Sequence, residues 1–419
     1  MQNAKRAAAL FFGVAAFVNS SLAFGAQAQD RVNVVERFNT MNRPIGAEIE
    51  GWNIRPVLEL RGGYDDNVLV TGQNAVSSSV IQLRGKIESD YHQGPYVVQI
   101  GGVLNNFAYI DAPDRNKLEV NAYAELALNL KPTSELRGRI SFVEGAETGP
   151  DNGIIVNGIF DPYREAGRYF RVPLDAEAEM DFGVTKIESA FHLQAIEHDT
   201  QVTKSGLVVN QDFRNGWEAD FNVRGTYSPY EVWSIDLKGA AGTCKFEDSR
   251  SNTDTWQILF GGTVDLTQLV TVDAYAGYAG QVFENGATAA GFVYGARLQW
   301  FASELVSISL DAQREFRAEV ETTLSVGTTA FPITQEAVGL RVDWEPLKEM
   351  LVQFNAKYAR NERDGVVWLQ EMSVIELQST YILTKALRIT LGWEYEFGSS
   401  TFASRYSRNA MTLGLAASY

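Results

Sequence analysis

The chain closes on a period of two. Met411, Leu413, Leu415, Ala417 and the terminal Tyr419 fall on one side of an extended backbone, and Thr412, Gly414, Ala416 and Ser418 on the other. Successive side chains of a strand point to opposite faces, so this segment is apolar on one face and small or polar on the other. A helix would need apolar residues three and four apart, and that spacing is missing.

The alternation recurs along most of the sequence. Leu118, Val120, Ala122, Ala124, Leu126, Leu128 and Leu130 interleave with Glu119, Asn121, Tyr123, Glu125, Ala127 and Asn129. Trp217, Ala219, Phe221, Val223, Gly225 and Tyr227 interleave with Glu218, Asp220, Asn222, Arg224 and Thr226. Residues 306–313 and 387–397 repeat it. The pattern predicts about 18 strands, near residues 54–65, 78–91, 96–110, 117–131, 135–145, 169–182, 186–199, 213–228, 231–246, 253–265, 269–284, 289–301, 304–317, 333–345, 349–362, 368–382, 385–398 and 405–419.

The connections alternate in length. Tight ones fall at 92–95, 132–134, 183–185, 228–230, 266–268, 302–303, 346–348 and 383–384. Between them lie mostly longer, polar ones: 66–77, 111–116, 146–168, 200–212, 247–252, 285–288, 318–332, 363–367 and 399–404. A soluble sandwich has no reason to alternate in this way, whereas a barrel of the bacterial outer membrane has short periplasmic turns and long external loops. An even strand count returns both termini to the short-turn side.

Aromatic placement is a second test. Trp233, Trp300 and Trp344, with Tyr91, Tyr227 and Tyr381, fall near the short-turn ends of the apolar faces; Trp217, Trp256, Trp368 and Tyr109 fall near the long-loop ends. Trp217 and Tyr227 are ten residues apart. At ~3.3 Å per residue and a tilt of ~40°, that separation is a height of ~25 Å, the distance between the two aromatic girdles of such a barrel. The sequence therefore predicts an all-β fold, a transmembrane antiparallel up-and-down β-barrel over 54–419, surrounded by outer-membrane lipid.

The amino end fits export. Lys5 and Arg6 precede an apolar stretch at 7–18, and Ala26-Gln27-Ala28 offers a small-residue cleavage site. This reads as a signal peptide over 1–28, cut before Gln29, with Ala23 as the alternative. Residues 29–53 are then a short periplasmic segment. Losing two cations takes the net charge from −16 to −18, a balance that argues against nucleic acid as a partner. The single Cys244 cannot form an internal disulfide.

The segment from Val32 to Val68 resembles the β-barrel porin type 2 family of Gram-negative bacteria. The matching residues are Val34-Val35-Glu36-Arg37, Arg43-Pro44-Ile45-Gly46, Gly51, Pro56 and Tyr64-Asp65-Asp66-Asn67-Val68, while the aromatic often found between the Arg-Pro and the glycine is absent. The resemblance implies an outer-membrane channel, and many members are associated with exopolysaccharide production and export. It thereby implies a polysaccharide in the lumen and a periplasmic export machinery as partner.

If the apolar faces meet lipid, the other faces line a lumen. That lumen is predicted to carry Arg84, Lys86, Arg137, Arg139, Asp175, Glu177, Glu179, Asp311, Glu315, Arg341, Lys357 and Glu394. A barrel this wide leaves an aqueous channel unless plugged, and rings of charge set its ionic preference. The row Arg137/Arg139 beside Asp175/Glu177/Glu179 equally suits cross-strand pairing that stiffens the wall, a reading the sequence favours over a ligand site. Tyr123 and Tyr275 also face inward and could stack on sugars. The longest external connection, 146–168, holds Asp151, Asp161, Arg164 and Glu165 around an apolar Ile154-Ile155-Val156. An apolar patch in a polar loop suits docking against the inner wall as a constriction; an exposed loop accounts for it equally well.

Catalysis is the weaker reading. Of His92, His192 and His198 only the last lies near the predicted external rim, and its neighbours Glu197 and Asp199 point to the opposite face. No phosphate loop, metal-ligand spacing or Cys-His pair occurs, so neither cofactor nor metal is expected. The expected function is passive conduction, with polysaccharide export ahead of diffusion of ions and small polar solutes, and a structural or adhesive barrel third.

Overall fold

The computed structural model describes residues 11–12, 33–44, 46–70, 75–131, 133–147, 153–156, 159–323, 327–363, 369–400 and 405–419. Apart from Phe11 and Phe12, the predicted signal lies outside them, as do Asp151 and Trp368.

Eighteen antiparallel strands form one closed sheet: β1 (Trp52–Asp65), β2 (Ser78–Gln93), β3 (Tyr96–Tyr109), β4 (Lys117–Lys131), β5 (Ser134–Glu147), β6 (Gly167–Asp181), β7 (Thr185–His198), β8 (Gly216–Tyr230), β9 (Trp233–Phe246), β10 (Thr253–Thr267), β11 (Val270–Phe283), β12 (Thr288–Ser303), β13 (Val306–Thr323), β14 (Gly327–Leu347), β15 (Met350–Glu362), β16 (Leu369–Thr384), β17 (Leu387–Ser400) and β18 (Tyr406–Ser418). Each pairs with the next in the chain, and β18 returns to β1 from Ala410↔Asp65 to Ser418↔Val57. Closure leaves no unpaired edge, as spanning a bilayer requires.

The usual distribution of polarity is inverted. Leu58, Leu60, Ile258, Phe260, Phe292, Leu413 and Leu415 are exposed on the outside, while Glu218, Arg224 and Asp236 are buried on the inside. Such an exterior is stable only in hydrocarbon. Aromatic rings reinforce the sheet from both sides. On the lipid face Trp393 stacks on Tyr395 at 6.5 Å, and Tyr395 meets Phe397 at 5.6 Å. On the lumen face Tyr123 covers Gly101 and Tyr275 covers Gly295, where an added Cβ would lie 2.7 Å and 2.5 Å from the ring. Glycine there lets the ring lie flat on the wall.

The family-like residues of the amino end prove to be fasteners. Glu50 and Gly51, both at positive φ, make the tight turn between Ala47–Ile49 and β1, a geometry that glycine adopts freely. At the far end of β1, Tyr64-Asp65-Asp66-Asn67-Val68 clasps the seam. Asp65 accepts from Arg408 Nε at 2.9 Å, and Asp66 accepts from the Asn409 backbone and side chain at 2.7 and 3.0 Å. Asn67 donates to the Ser407 carbonyl at 2.9 Å. Three consecutive side chains thus hold three consecutive residues of the last strand.

Two expectations change. The connection expected over 318–332 is instead strand: β13 and β14 stay paired from Arg317↔Ile333 to Thr323↔Gly327. Threonine-rich, glycine-punctuated sequence suits a solvated hairpin as well as a loop, and only pairing separates the two. Tyr109, expected in the outer girdle, pairs with Val80 and so shares the inner face of Arg84 and Lys86. Both faces of β3 carry apolar residues, which left its phase ambiguous.

Candidate pore

The register of the strands puts all twelve predicted lumen residues on the inner face, but most are tied to the wall. Arg137 bonds Glu135 at 2.6 Å and reaches Glu125 at 3.4 Å and Glu177 at 3.8 Å. Arg139 lies over the Tyr123 ring at 4.1 Å and within 3.9 Å of Glu125, so this tyrosine already carries a cation. Asp175 meets His192 Nδ1 at 2.6 Å, and Glu179 meets Lys186 at 3.0 Å. Glu394 and Asp65 share Arg408, at 2.6 and 2.9 Å. Arg341 holds Asp343 at 2.9 Å, and Lys86 holds Glu88 at 2.6 Å. Arg84 comes no nearer than 4.0 Å to Glu59. Lys357 is exposed to the lumen with no ion pair among the described residues. Asp311 lies over Gly339, and with Glu315 it borders a wall recess of about 300 Å³ that also holds His192, Asp220, Lys238, Tyr275 and Arg297.

These pairs follow from the strand period. On the inner face residues i and i+2 of one strand neighbour each other and the residues opposite, so charges of opposite sign at spacing two meet without long reach. Glu59/Arg61, Glu135/Arg137 and Arg341/Asp343 are such pairs. Deepest is Arg224, 2% exposed, 2.9 Å from Asp236 and 3.5 Å from Glu188. Amides continue the lining elsewhere: Gln335 donates to Asn361 at 2.7 Å, which donates to Gln370 at 3.1 Å.

The short-turn end holds an element that strand periodicity does not reveal. Helix α1 (Val34–Met41) is capped by Asn33, whose side chain accepts from the Val35 and Glu36 amides at 2.7 and 3.1 Å. Its buried Val34 and Phe38 pack on Leu351 at the start of β15, with Ile382 of β16 alongside. Arg37 bonds the buried Glu345 of β14 at 2.7 Å. Leu351, Ile382 and Glu345 all belong to the inner face, so α1 lies inside the mouth. Farther along, Arg43 approaches Asp90 at 3.7 Å, and Asp90 also binds Arg55. The signal was available in sequence: asparagine, then glutamate three residues on, with Val34 and Phe38 one helical turn apart.

At the long-loop end, Gly153–Val156 pairs with Ile159–Pro162, and this small hairpin, which includes Asp161, lies beside β13. Tyr163 follows, 1% exposed, accepting a hydrogen bond from Gln211 at 2.7 Å. Arg164 and Glu165 are exposed, and the Arg164 amide donates to the Val202 carbonyl at 2.7 Å. The connection after β5 is therefore docked on the one after β7. β14 also comes against Ser249–Ser251, between β9 and β10. Among the described residues no group of three or more His, Cys, Asp or Glu could hold a metal ion.

A closed, lipid-girdled barrel with a polar, charge-lined interior is an outer-membrane channel of the porin type. The chain belongs to the family described as Putative beta-barrel porin 2, whose model matches residues 42–419. Among solved structures it is similar to OpdO of Pseudomonas aeruginosa, with 13% identity over 87% of this chain and 97% of that one, and a TM-score of 0.46. It is also similar to OpdK of the same organism, with 11% identity over 88% and 99% of the two chains and a TM-score of 0.47. A third similar structure is a loop-deletion mutant of OmpT of Vibrio cholerae, with 11% identity over 88% and 100%, and a TM-score of 0.40. No match was found among curated proteins.

Proposed function

We propose that this channel is a passive conduit for a secreted polysaccharide, with the predicted lumen residues as its wall and no chemical step. The observation that carries this is the state of the lining: most of the predicted lumen charges are paired with a group on the wall, and amides bond amides beside them. Satisfied polar groups remain hydrated and give a hydroxyl-rich chain many weak, interchangeable contacts and few strong ones. A sliding chain needs binding weak enough to leave each site. The family's association with exopolysaccharide supports the same cargo, and with it a periplasmic export machinery as partner.

Deletion of the gene is expected to abolish polysaccharide at the cell surface and leave uptake of small polar solutes unchanged. Normal surface polysaccharide with lost solute uptake would instead make the protein a diffusion porin. Within this reading the 146–168 connection narrows the outer mouth, because its small hairpin lies beside β13, seven strands round the wall from β6. Removing residues 150–163 is expected to raise single-channel conductance in planar bilayers by about half or more, since conductance scales with the narrowest open area. An unchanged conductance contradicts the constriction.

A further inference from the structure

The pairing that quiets most of the lumen is incomplete beside α1. There, a recess of about 250 Å³ lies between the helix, through Val35, Phe38, Asn39 and Asn42, and the inner faces of β1, β2 and β15–β17. Four cations line it, Arg61, Arg84, Lys86 and Arg388, against the single carboxylate of Glu59. That excess is opposite in sign to the net charge of −16 on the chain.

Register explains how the cations come together. Arg388 pairs with Ala416, Ala416 with Glu59 and Glu59 with Arg84, so these residues form one row across β17, β18, β1 and β2. Glu59 is already committed: it takes two hydrogen bonds from Arg61, at 2.8 and 3.1 Å, and one from Thr390 at 3.0 Å. Gly414 and Ala416 make this possible, since a Cβ on Gly414 would lie 2.5 Å from Thr390 Oγ1 and 2.8 Å from Arg61 Cγ. Arg84 is left with only the 4.0 Å approach to Glu59, and its Nε is buried without a hydrogen-bond partner. Arg388 has no hydrogen bond or ion pair among the described residues, and the exposed Asn39 amide of α1 is likewise uncommitted. Two guanidiniums with open donor edges, flanking a satisfied carboxylate and facing an amide, suit a planar oxyanion.

We infer that the recess between α1 and the Arg388–Arg84 row is a seat for a carboxylate carried on a sugar, so that the channel prefers acidic, uronate-type polymers to neutral ones. The inference rests on the conduit reading and names its cargo more narrowly. Glucuronate is the probe, with glucose as the neutral control. Titration calorimetry on the detergent-solubilised full-length barrel reads the seat without any current: glucuronate binds the wild type, glucose does not, and the double variant R84Q/R388Q loses at least tenfold in affinity. In planar bilayers the wild-type current is blocked by glucuronate, and that block weakens by the same factor in the variant. R84K/R388K keeps the charge but not the fork geometry, so it retains anion preference while binding glucuronate more weakly. Heat-modifiable migration on gels establishes that each variant is folded. Equal glucuronate binding by folded wild type and R84Q/R388Q overturns the seat, as does binding of glucose with equal affinity. A folded wild type that binds glucuronate yet carries no current supports the seat and contradicts the conduit.

Discussion

Replacing Phe38 with aspartate is expected to release α1 from the short-turn mouth and raise single-channel conductance several-fold. Few contacts hold the helix: the cluster of Val34 and Phe38 with Leu351, the Arg37–Glu345 pair and the Asn42 contact with the Lys348 carbonyl at 3.5 Å. Phe38 is 2% exposed, so its loss forfeits ~1.5–3 kcal/mol of apolar burial. A carboxylate set against Leu351 adds a desolvation cost of several kcal/mol. An isolated helix of eight residues is too short to be stable by itself in water. The released segment should therefore unfold and become open to protease. Arg37→Ala has the smaller effect, because it leaves the apolar contact in place. Conductance that stays at the wild-type level once protease cuts within 33–42 would mean that α1 does not narrow the passage.

The second large effect depends on a shift of one residue. Ile258 and Gln257 are neighbours in the long-loop half of β10, the first exposed on the lipid face and the second on the lumen face. Arginine at 258 is expected to cost ~1–3 kcal/mol, somewhat below the full midplane penalty, because Ile258 stands two residues inward of the girdle residue Trp256. Arginine at 257 should cost less, because Gln257 opens on the inner recess that Asp220, Asn222 and Gln281 also line. Urea unfolding in lipid vesicles measures both. Equal destabilisation at the two positions would contradict the assignment of faces.

How much of this was legible in sequence depends on the period of each segment. The strands of the wall are legible close to their observed ends because one face meets hydrocarbon and the other water, which forces the alternation into the sequence. Where that contrast fails, the reading fails with it. Tyr109 sits on a strand with apolar residues on both faces, and its phase came only from pairing with Val80. Residues 317–323 and 327–333 pair as strand although threonines and a glycine, Thr322, Thr323, Gly327, Thr328 and Thr329, interrupt the short alternation of Arg317, Glu319 and Glu321 with Ala318 and Val320.

Site chemistry was legible in kind but not in connection. The alternation assigns Arg137, Glu177 and Glu394 to the lumen, whereas their partners depend on which residues stand opposite, and register is a tertiary property. The same holds for Asp65, Asp66 and Asn67, visible as a motif but understood as a seam clasp only once β18 lies beside β1. Glu59, Arg61 and Arg388 do not stand out in the sequence, because nothing in a strand pattern marks one lumen charge as unpaired and another as spent. Helix α1 carried its own signal, at a period of 3.6 rather than two.

Every expected change in conductance requires a hydrated passage through this barrel from one face of the outer membrane to the other. Reconstituting the purified, folded protein in planar bilayers tests it directly. The prediction is discrete, uniform steps of current as single barrels insert, larger when α1 is released. Folded barrels that insert and carry no current, with α1 in place or freed, would contradict it.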